Sequence, residues 1–220
     1  DNHNLASQTF TEEQVRFHLA LHPELASIRI ANERGEVTHG FEGGLPQPGI
    51  GIVDRSYFQR HLNDKEAGLV ISEPLKGKIS GKWGLIFSRR LFNSDGSFAG
   101  VVIANVKIDY FLERFKAVKL GNKGSVALRD EKLGVIARYP DAGGNTAISA
   151  NVISSDFRDA LNANPAVGTY ISRVTSIDGI SRVHTYQKHE KYSFYVNTGV
   201  ARDELLAGWY KEVKITLLLA

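Results

Sequence analysis

The stretch from Gly81 to Phe115, GKWGLIFSRRLFNSDGSFAGVVIANVKIDYFLERF, constrains the fold of this chain more than any other. Its first half alternates: Trp83, Leu85, Phe87 and Arg89 fall on one face and Gly84, Ile86, Ser88 and Arg90 on the other, the period of a strand. Asn93-Ser94-Asp95-Gly96 supplies a turn, in which Gly96 tolerates the positive φ that hairpins demand. The return, Phe98 to Ile108, is apolar on both faces except at Asn105 and Lys107. Asp109 is placed to cap a helix in which Phe111, Leu112 and Phe115 recur at helical spacing. A hairpin of two long central strands is therefore predicted, with two adjacent arginines near its turn.

The remaining elements read in order around that hairpin. Residues 5 to 22 have helical apolar spacing, with Thr9 or Thr11 as cap, and Pro23 ends them. Ile28-Arg29-Ile30 and Glu36-Val37-Thr38 form a hairpin through Asn32 to Gly35, and a Gly- and Pro-rich loop follows from Phe41 to Gly51. Asp54 is expected to cap a short helix, Arg55 to Leu62, that carries Tyr57 and His61 one turn apart. After a helix over Asp109 to Lys119 and a joint at Gly121 to Gly124, the order repeats. A hairpin from Gly124 to Tyr139 precedes a helix capped by Ser154 or Ser155, three strands (168 to 174, 181 to 187, 192 to 200) and a last helix, Asp203 to Lys214. This order predicts an α+β chain of two tandem modules, each an antiparallel sheet with helices to one side, plus a long N-terminal helix and a C-terminal helix.

Composition excludes several classes. The 220 residues are 42% apolar and 23% charged, ample for a packed core. A net charge of +3, with no basic run and no aromatic–basic interleaving, excludes a nucleic-acid partner. There is no cysteine, hence neither disulfide nor thiolate metal site. His18 and His22 are the only histidines at helical i, i+4 spacing and lack a neighbouring ligand, so no metal is expected; no cofactor is expected either. No Ser-His-Asp elbow, phosphate loop or HExxH is present, and no catalytic residue is assigned. The chain begins without Met or a signal-peptide core, which reads as a segment of a longer protein. Basic residues ahead of Ile215 to Ala220 read as the approach to a membrane span.

Several short motifs, taken in order and spacing, resemble the double Cache sensor domains of bacterial membrane receptors: Asp54 to Phe58, Ile71 to Pro74, Phe87 to Arg90, Asp95 to Val102, Gly121 to Ser125, Ile136 to Pro140, and Tyr195 to Val200 ahead of Asp203-Glu204. The resemblance covers nearly the whole chain and is strongest to the sensors that precede diguanylate cyclases. It implies PAS-like modules, with residues 1–23 an N-terminal helix, 24–119 a membrane-distal module, 120–200 a membrane-proximal module and 201–220 a helix leading to a membrane span. It also implies a periplasmic, extracytoplasmic segment of an inner-membrane protein, flanking transmembrane helices, a homodimer through the N-terminal helix, and a small-molecule ligand in the distal module. Amino-acid-binding members carry Arg-x-Trp-Tyr in the distal helix and an Asp on the long return strand. Arg55-Ser56-Tyr57-Phe58 matches the first in its Arg and aromatic character. Asn105 stands nearest the second, where an α-ammonium group would lack a charged partner.

The candidate ligand-binding residues are Arg89, Arg55, Tyr57, Asn105, His61, Trp83 and Phe87. If the face of Trp83, Leu85 and Phe87 looks into the distal module, Arg89 must be paired or must clamp a carboxylate. A structural ion pair with Asp54, Glu73 or Asp109 is the other reading, and Arg90 is expected to be solvated. Asn105, an amide on an apolar strand, must find partners. In the proximal module Arg138, Tyr170, Arg173 and Arg182 read either as a second pocket or as outer-face strand residues. The function expected is an extracytoplasmic sensor without enzymatic activity, binding a small carboxylate-bearing molecule and signalling through the C-terminal helix to a cytoplasmic output such as a diguanylate cyclase. The alternative is a ligand-free dimerisation or partner-protein module of a histidine kinase or chemoreceptor.

Overall fold

The structure, a computed structural model, describes residues 12–40, 51–78, 80–141, 148–149, 151–173, 178–192 and 194–207. The chain divides into two compact units, Asp1–Tyr110 and Phe111–Ala220. Each unit is built on its own antiparallel sheet, as the order of elements predicts.

In the first unit α1 (Glu12–Leu21) leads into β1 (Leu25–Asn32), β2 (Val37–Gly40), α2 (Ser56–Asn63), the short β3 (Val70–Ile71) and β4 (Leu75–Lys76), and the long pair β5 (Trp83–Phe92) and β6 (Phe98–Lys107). The sheet order is β2-β1-β6-β5-β3, with β4 also on β5. The central hairpin forms as expected, closed by Gly96 N–H to the Asn93 carbonyl. Register then decides which side chains share a face. Ile86 lies opposite Asn105, Ser88 opposite Ile103 and Arg90 opposite Val101. Across β6, Asn105 faces Ser27, Ile103 faces Arg29 and Val101 faces Ala31. That face is the one that α2 covers: Tyr57 and Phe58 pack with Ala31, Ile52, Ile86, Val101 and Ile103 into one apolar cluster. Gly100 has a φ of +129°, and a side chain there would overlap the Ala31 carbonyl, so β6 needs glycine where it meets β1.

Two local expectations change. Helix α2 has Arg55 at its N-cap with no side-chain bond, because the Asp54 carboxylate pairs with Lys78 instead. The N-terminal helix expected over residues 5 to 22 is described only from Glu12 to Leu21; its start, and the loop from Phe41 to Ile50, lie outside the described residues.

The second unit repeats the plan. The helix α3 (Ile108–Lys116), within which the division falls, is followed by β7 (Ser125–Arg129), β8 (Val135–Tyr139), α4 (Ser155–Ala163), β9 (Val167–Ile171), β10 (Arg182–His189) and β11 (Phe194–Ala201). Apart from β4, which has no counterpart, the sheet order β8-β7-β11-β10-β9 repeats that of the first sheet, with α4 entering where α2 does. Ser154 caps α4, its Oγ accepting from Phe157 N–H at 3.2 Å. Residues 202–207 are helical, and the Glu204 carboxylate accepts from the N–H groups of Asn122 and Lys123 at 3.0 and 3.2 Å. The rest of the helix expected to Lys214, and the apolar run from Ile215, lie outside the described residues. Among the described residues no helix is long and apolar enough to cross a membrane.

Candidate functional sites

Each unit holds a cavity between its sheet and the helix that partly covers it. In the first unit the cavity measures about 100 Å³. Its floor is Ser27, Arg29, Ile86, Ile103 and Asn105 from the sheet, and its rim is Arg55, Tyr57 and Lys78. Tyr57 is 4% exposed, and its hydroxyl has no hydrogen-bond partner among the described residues. Burial pushes its pKa up to about 12, so it stays a neutral donor. Asn105 Oδ1 is buried over Gly84 without a partner among the described residues. Lys78 Nζ donates to the Gly51 carbonyl at 2.8 Å and pairs with Asp54, and Arg55 Nη2 donates to the Lys76 carbonyl at 3.1 Å. The result is a small hollow with a cationic rim, a free phenol and an incomplete amide.

Of the candidate residues, the structure brings Arg55, Tyr57 and Asn105 together at this cavity and leaves Arg89, His61, Trp83 and Phe87 outside its lining. The face expected to look inward is the opposite one. Arg89 lies across from Val102, with Phe87 across from Ala104, and Arg89 is exposed. Trp83 lies under Lys76, whose Nζ is 5.6 Å from the ring centroid. Arg90, expected in solvent, is instead half-buried: it donates to the His61 carbonyl and stacks on Phe98 at 4.6 Å. His61 is buried against Ser88, with Nε2 3.0 Å from Oγ. Arg29, Ser27 and Lys78 escaped the sequence reading; the signal for Arg29 was its alternation with Ile28 and Ile30 on a strand whose two faces are both covered.

The cavity of the second unit is larger, about 290 Å³. Residues opposite one another in register again line it: Ala127 with Arg138 on one side and Asn197 on the other, then His184 beside Tyr170. Phe157, Tyr170 and His184 form a stacked wall, with ring centroids 5.1 and 4.8 Å apart. A polar chain ties the wall to the sheet, since Asn197 Nδ2 donates to the Tyr170 hydroxyl at 2.8 Å and its Oδ1 lies 3.2 Å from His184 Nδ1. All four residues read as either pocket or outer face, Arg138, Tyr170, Arg173 and Arg182, line this cavity.

Its charges are unevenly paired. Asp178 takes Arg138 Nη2 at 2.9 Å on one oxygen and Arg182 Nη1 at 2.8 Å on the other. Arg182, 1% exposed, also donates from Nε to the Lys123 carbonyl at 2.7 Å. Arg129 is 6% exposed and has no carboxylate at ion-pair distance among the described residues. Its Nη1 donates to the Leu133 carbonyl at 2.6 Å, its guanidinium carbon lies 6.0 Å from the Phe157 ring, and its Nε is buried without a partner among the described residues. A charged hydrogen bond of that kind contributes ~1.5–3 kcal/mol and the ring contact about 0.5–1. Burying an ion costs several kcal/mol, so Arg129 is under-compensated. Burial accordingly pulls its pKa below the ordinary arginine value.

The two cavities correspond position by position. On β1, Ser27 lies opposite Asn105 and Arg29 follows two residues later; on β7, Ala127 lies opposite Asn197 and Arg129 follows two residues later. Both arginines and both asparagines line their cavities, as do Tyr57 of α2 and Asp156 of α4.

Comparison with known proteins places this geometry. The dCache_1 family, a Cache domain, matches residues 2–209. No curated protein sequence matches the chain. Among solved structures, the extracellular domain of rpHK1S-Z16, which has been assigned as a histidine kinase, is 28% identical, with a TM-score of 0.74 over 90% of this chain and 79% of that one. The ligand-binding domain of the Pseudomonas aeruginosa PAO1 amino acid chemoreceptor PctB, in complex with L-Arg, is 13% identical, with a TM-score of 0.64 over 90% and 81%. That of the Campylobacter jejuni chemoreceptor Tlp3, in complex with 4-methylisoleucine, is 13% identical, with a TM-score of 0.59 over 91% and 77%. The last two share the fold.

Burial lowers the His184 pKa to about 4, assisted by Arg182 and Arg138 and opposed by the Asn197 bond, and burial also lowers that of His61. The unfolded chain therefore binds protons that the folded chain does not as pH falls below the ordinary histidine value of 6.5. Stability should be full above that value and decline as pH falls toward about 4, where His184 itself protonates. Urea unfolding across this range should show the decline, and His184→Gln should flatten it; an unchanged slope in the variant would remove His184 from the account.

Proposed function

The chain belongs to the Cache domain family, whose members are non-catalytic extracellular sensor domains of membrane receptors, and we propose that it senses a small carboxylate-bearing molecule in the first-unit cavity. The observation that carries this reading is the convergence of Arg55, Lys78 and Arg29 around one hollow with a Tyr57 hydroxyl and an Asn105 Oδ1 that lack partners among the described residues. Cations at the rim suit a carboxylate, and the phenol and the amide suit a second polar group on the same molecule. A dry cavity of ~150 Å³ accepts benzene, so about 100 Å³ suits a short acid or one of the smaller amino acids. The complexes of PctB with L-Arg and of Tlp3 with 4-methylisoleucine support an amino acid as one such ligand. Asn105 is neutral, which favours simple acids over zwitterions.

In this reading the first unit is membrane-distal, the second is membrane-proximal, and the segment is extracytoplasmic, between flanking transmembrane helices. Ligand binding favours one packing of the terminal helices in proportion to its differential affinity for the two states. The signal leaves through the helix that begins at residue 202 for a cytoplasmic output. The sequence motifs support a diguanylate cyclase there, and the 28% identity to rpHK1S-Z16 supports a histidine kinase. The partner is a second copy, joined through α1, where Phe17 and Leu21 lie one turn apart and are 62% and 59% exposed.

A thermal-shift screen of short carboxylic acids and amino acids tests the ligand reading. A hit at a hundred times its dissociation constant adds ~2.7 kcal/mol, a shift of about 5–10 °C. Tyr57→Phe should weaken such a hit about tenfold by removing one hydrogen bond, and Arg55→Ala should weaken it more. The absence of any hit, or a hit indifferent to both changes, would favour the ligand-free module. For the dimer, sedimentation should show a faster species in the native chain than in a Phe17→Asp, Leu21→Asp variant; equal values would count against it.

A further inference from the structure

We infer that the second unit carries a ligand site of its own, for a small carboxylate with a flat apolar body, in the cavity beneath α4. This goes beyond sensing in the first unit and does not depend on it.

Arg129 carries the argument. It is a guanidinium 6% exposed on a cavity wall; among the described residues its Nε is buried and unpartnered, and its one hydrogen-bond acceptor is a neutral carbonyl, that of Leu133. The half-buried Asp178 does not serve it: its oxygens are held by Arg138 and Arg182, and it makes no ion pair with Arg129. Asp156 is engaged by Arg173, with its carboxylate 3.4 Å from Arg173 Nε. A carboxylate entering the cavity would complete the bonding of Arg129, and guanidinium is the side chain whose planar donors match a carboxylate.

The second observation is the internal repeat. Arg129 and Asn197 hold in this sheet the register that Arg29 and Asn105 hold in the first, each pair lining the hollow left by a short helix. Duplication of the fold has therefore duplicated the polar positions of the cavity. The copies differ in volume and walls. At about 290 Å³ the second cavity approaches the size of ordinary small-ligand sites. Its wall of Phe157, Tyr170 and His184 offers aromatic faces to an apolar body. An inorganic anion would satisfy the charge and leave that wall without a contact.

The site also touches the exit of the unit. Arg182 on the cavity wall holds the Lys123 carbonyl, and the Lys123 N–H is held by Glu204 in the first turn of the helix that follows β11. An occupant that shifts Arg182 thus acts two hydrogen bonds from that helix.

Calorimetry with benzoate and propionate, and with the neutral benzamide and propionamide, tests the inference on the native chain, Arg129→Gln and Ala127→Leu. Ala127 lines the cavity, so the larger side chain fills it without touching the charge. Expected are binding of at least one acid and of neither amide, a loss of about tenfold or more in Arg129→Gln, and loss of binding in Ala127→Leu. Should Arg129→Gln fail to fold, Ala127→Leu decides alone. The inference is overturned by amides that bind as tightly as the acids, by sulfate that displaces them with equal affinity, by binding unchanged in the folded variants, or by no binding at millimolar acid. An acid whose binding falls in Tyr57→Phe but not in these variants belongs to the first unit; that overturns this inference and leaves the earlier reading standing.

Discussion

A helix of eight or nine residues cannot cover a sheet five strands wide. At 1.5 Å per residue α2 and α4 are about 12–14 Å long, whereas five strands spaced ~4.8 Å apart span about 19 Å. One face of each sheet is therefore packed under Phe58 or Phe157 along part of its width and left hollow along the rest. Loops and rim residues close the hollow only in part. Polar groups placed at that hollow have neither a packed core nor bulk water around them, which is the condition under which they bind ligands.

Both units meet this condition with the same strand order and differ in how they distribute charge. The first places cations at the rim and neutral groups on the floor, apart from Arg29. The second brings four arginines to the cavity, gives Arg138 and Arg182 the shared carboxylate of Asp178 and gives Arg173 that of Asp156. Burial alone would raise the Asp178 carboxyl, yet the bonds from Arg182 and Arg138 hold it far below the carboxylate range. Each guanidinium of that triad has a carboxylate oxygen at ion-pair distance. Arg129 has none among the described residues, and its buried charge distinguishes the second cavity from a packing defect. His184 stays neutral against the same wall, so it stacks on Tyr170 without adding to the positive charge.

Much of this architecture was legible in the residues. The hairpin of β5 and β6 with its turn at Gly96, the Ser154 cap and the doubled order of elements follow from local rules of turn, cap and period. Periodicity does not say which face of a strand looks inward when both faces are buried, and Leu85 and Ile86 are both in the core. The more apolar face, with Trp83 and Phe87, was therefore expected at the cavity, and Arg89 with it. Register across β6 settles the question, because Asn105 pairs with Ile86 and both look toward α2. Arg29 and Arg129 were missed for a related reason: one arginine in a strand reads as an outer-face residue until its neighbours across the sheet are known. The Asp54 cap failed through competition, a lysine 24 positions along the chain offering its carboxylate a charged partner.

Amide hydrogen exchange, with and without a saturating carboxylate ligand, tests most directly the claim that ligands occupy the hollows left by the short helices. The account predicts slowed exchange in α2 and the flanking β4 and β6 for a first-unit ligand. For a second-unit ligand it predicts slowing in α4, β9 and β10 together with residues 202–207. Binding accompanied by protection on the uncovered edges of the sheets, with both helices unchanged, would contradict it.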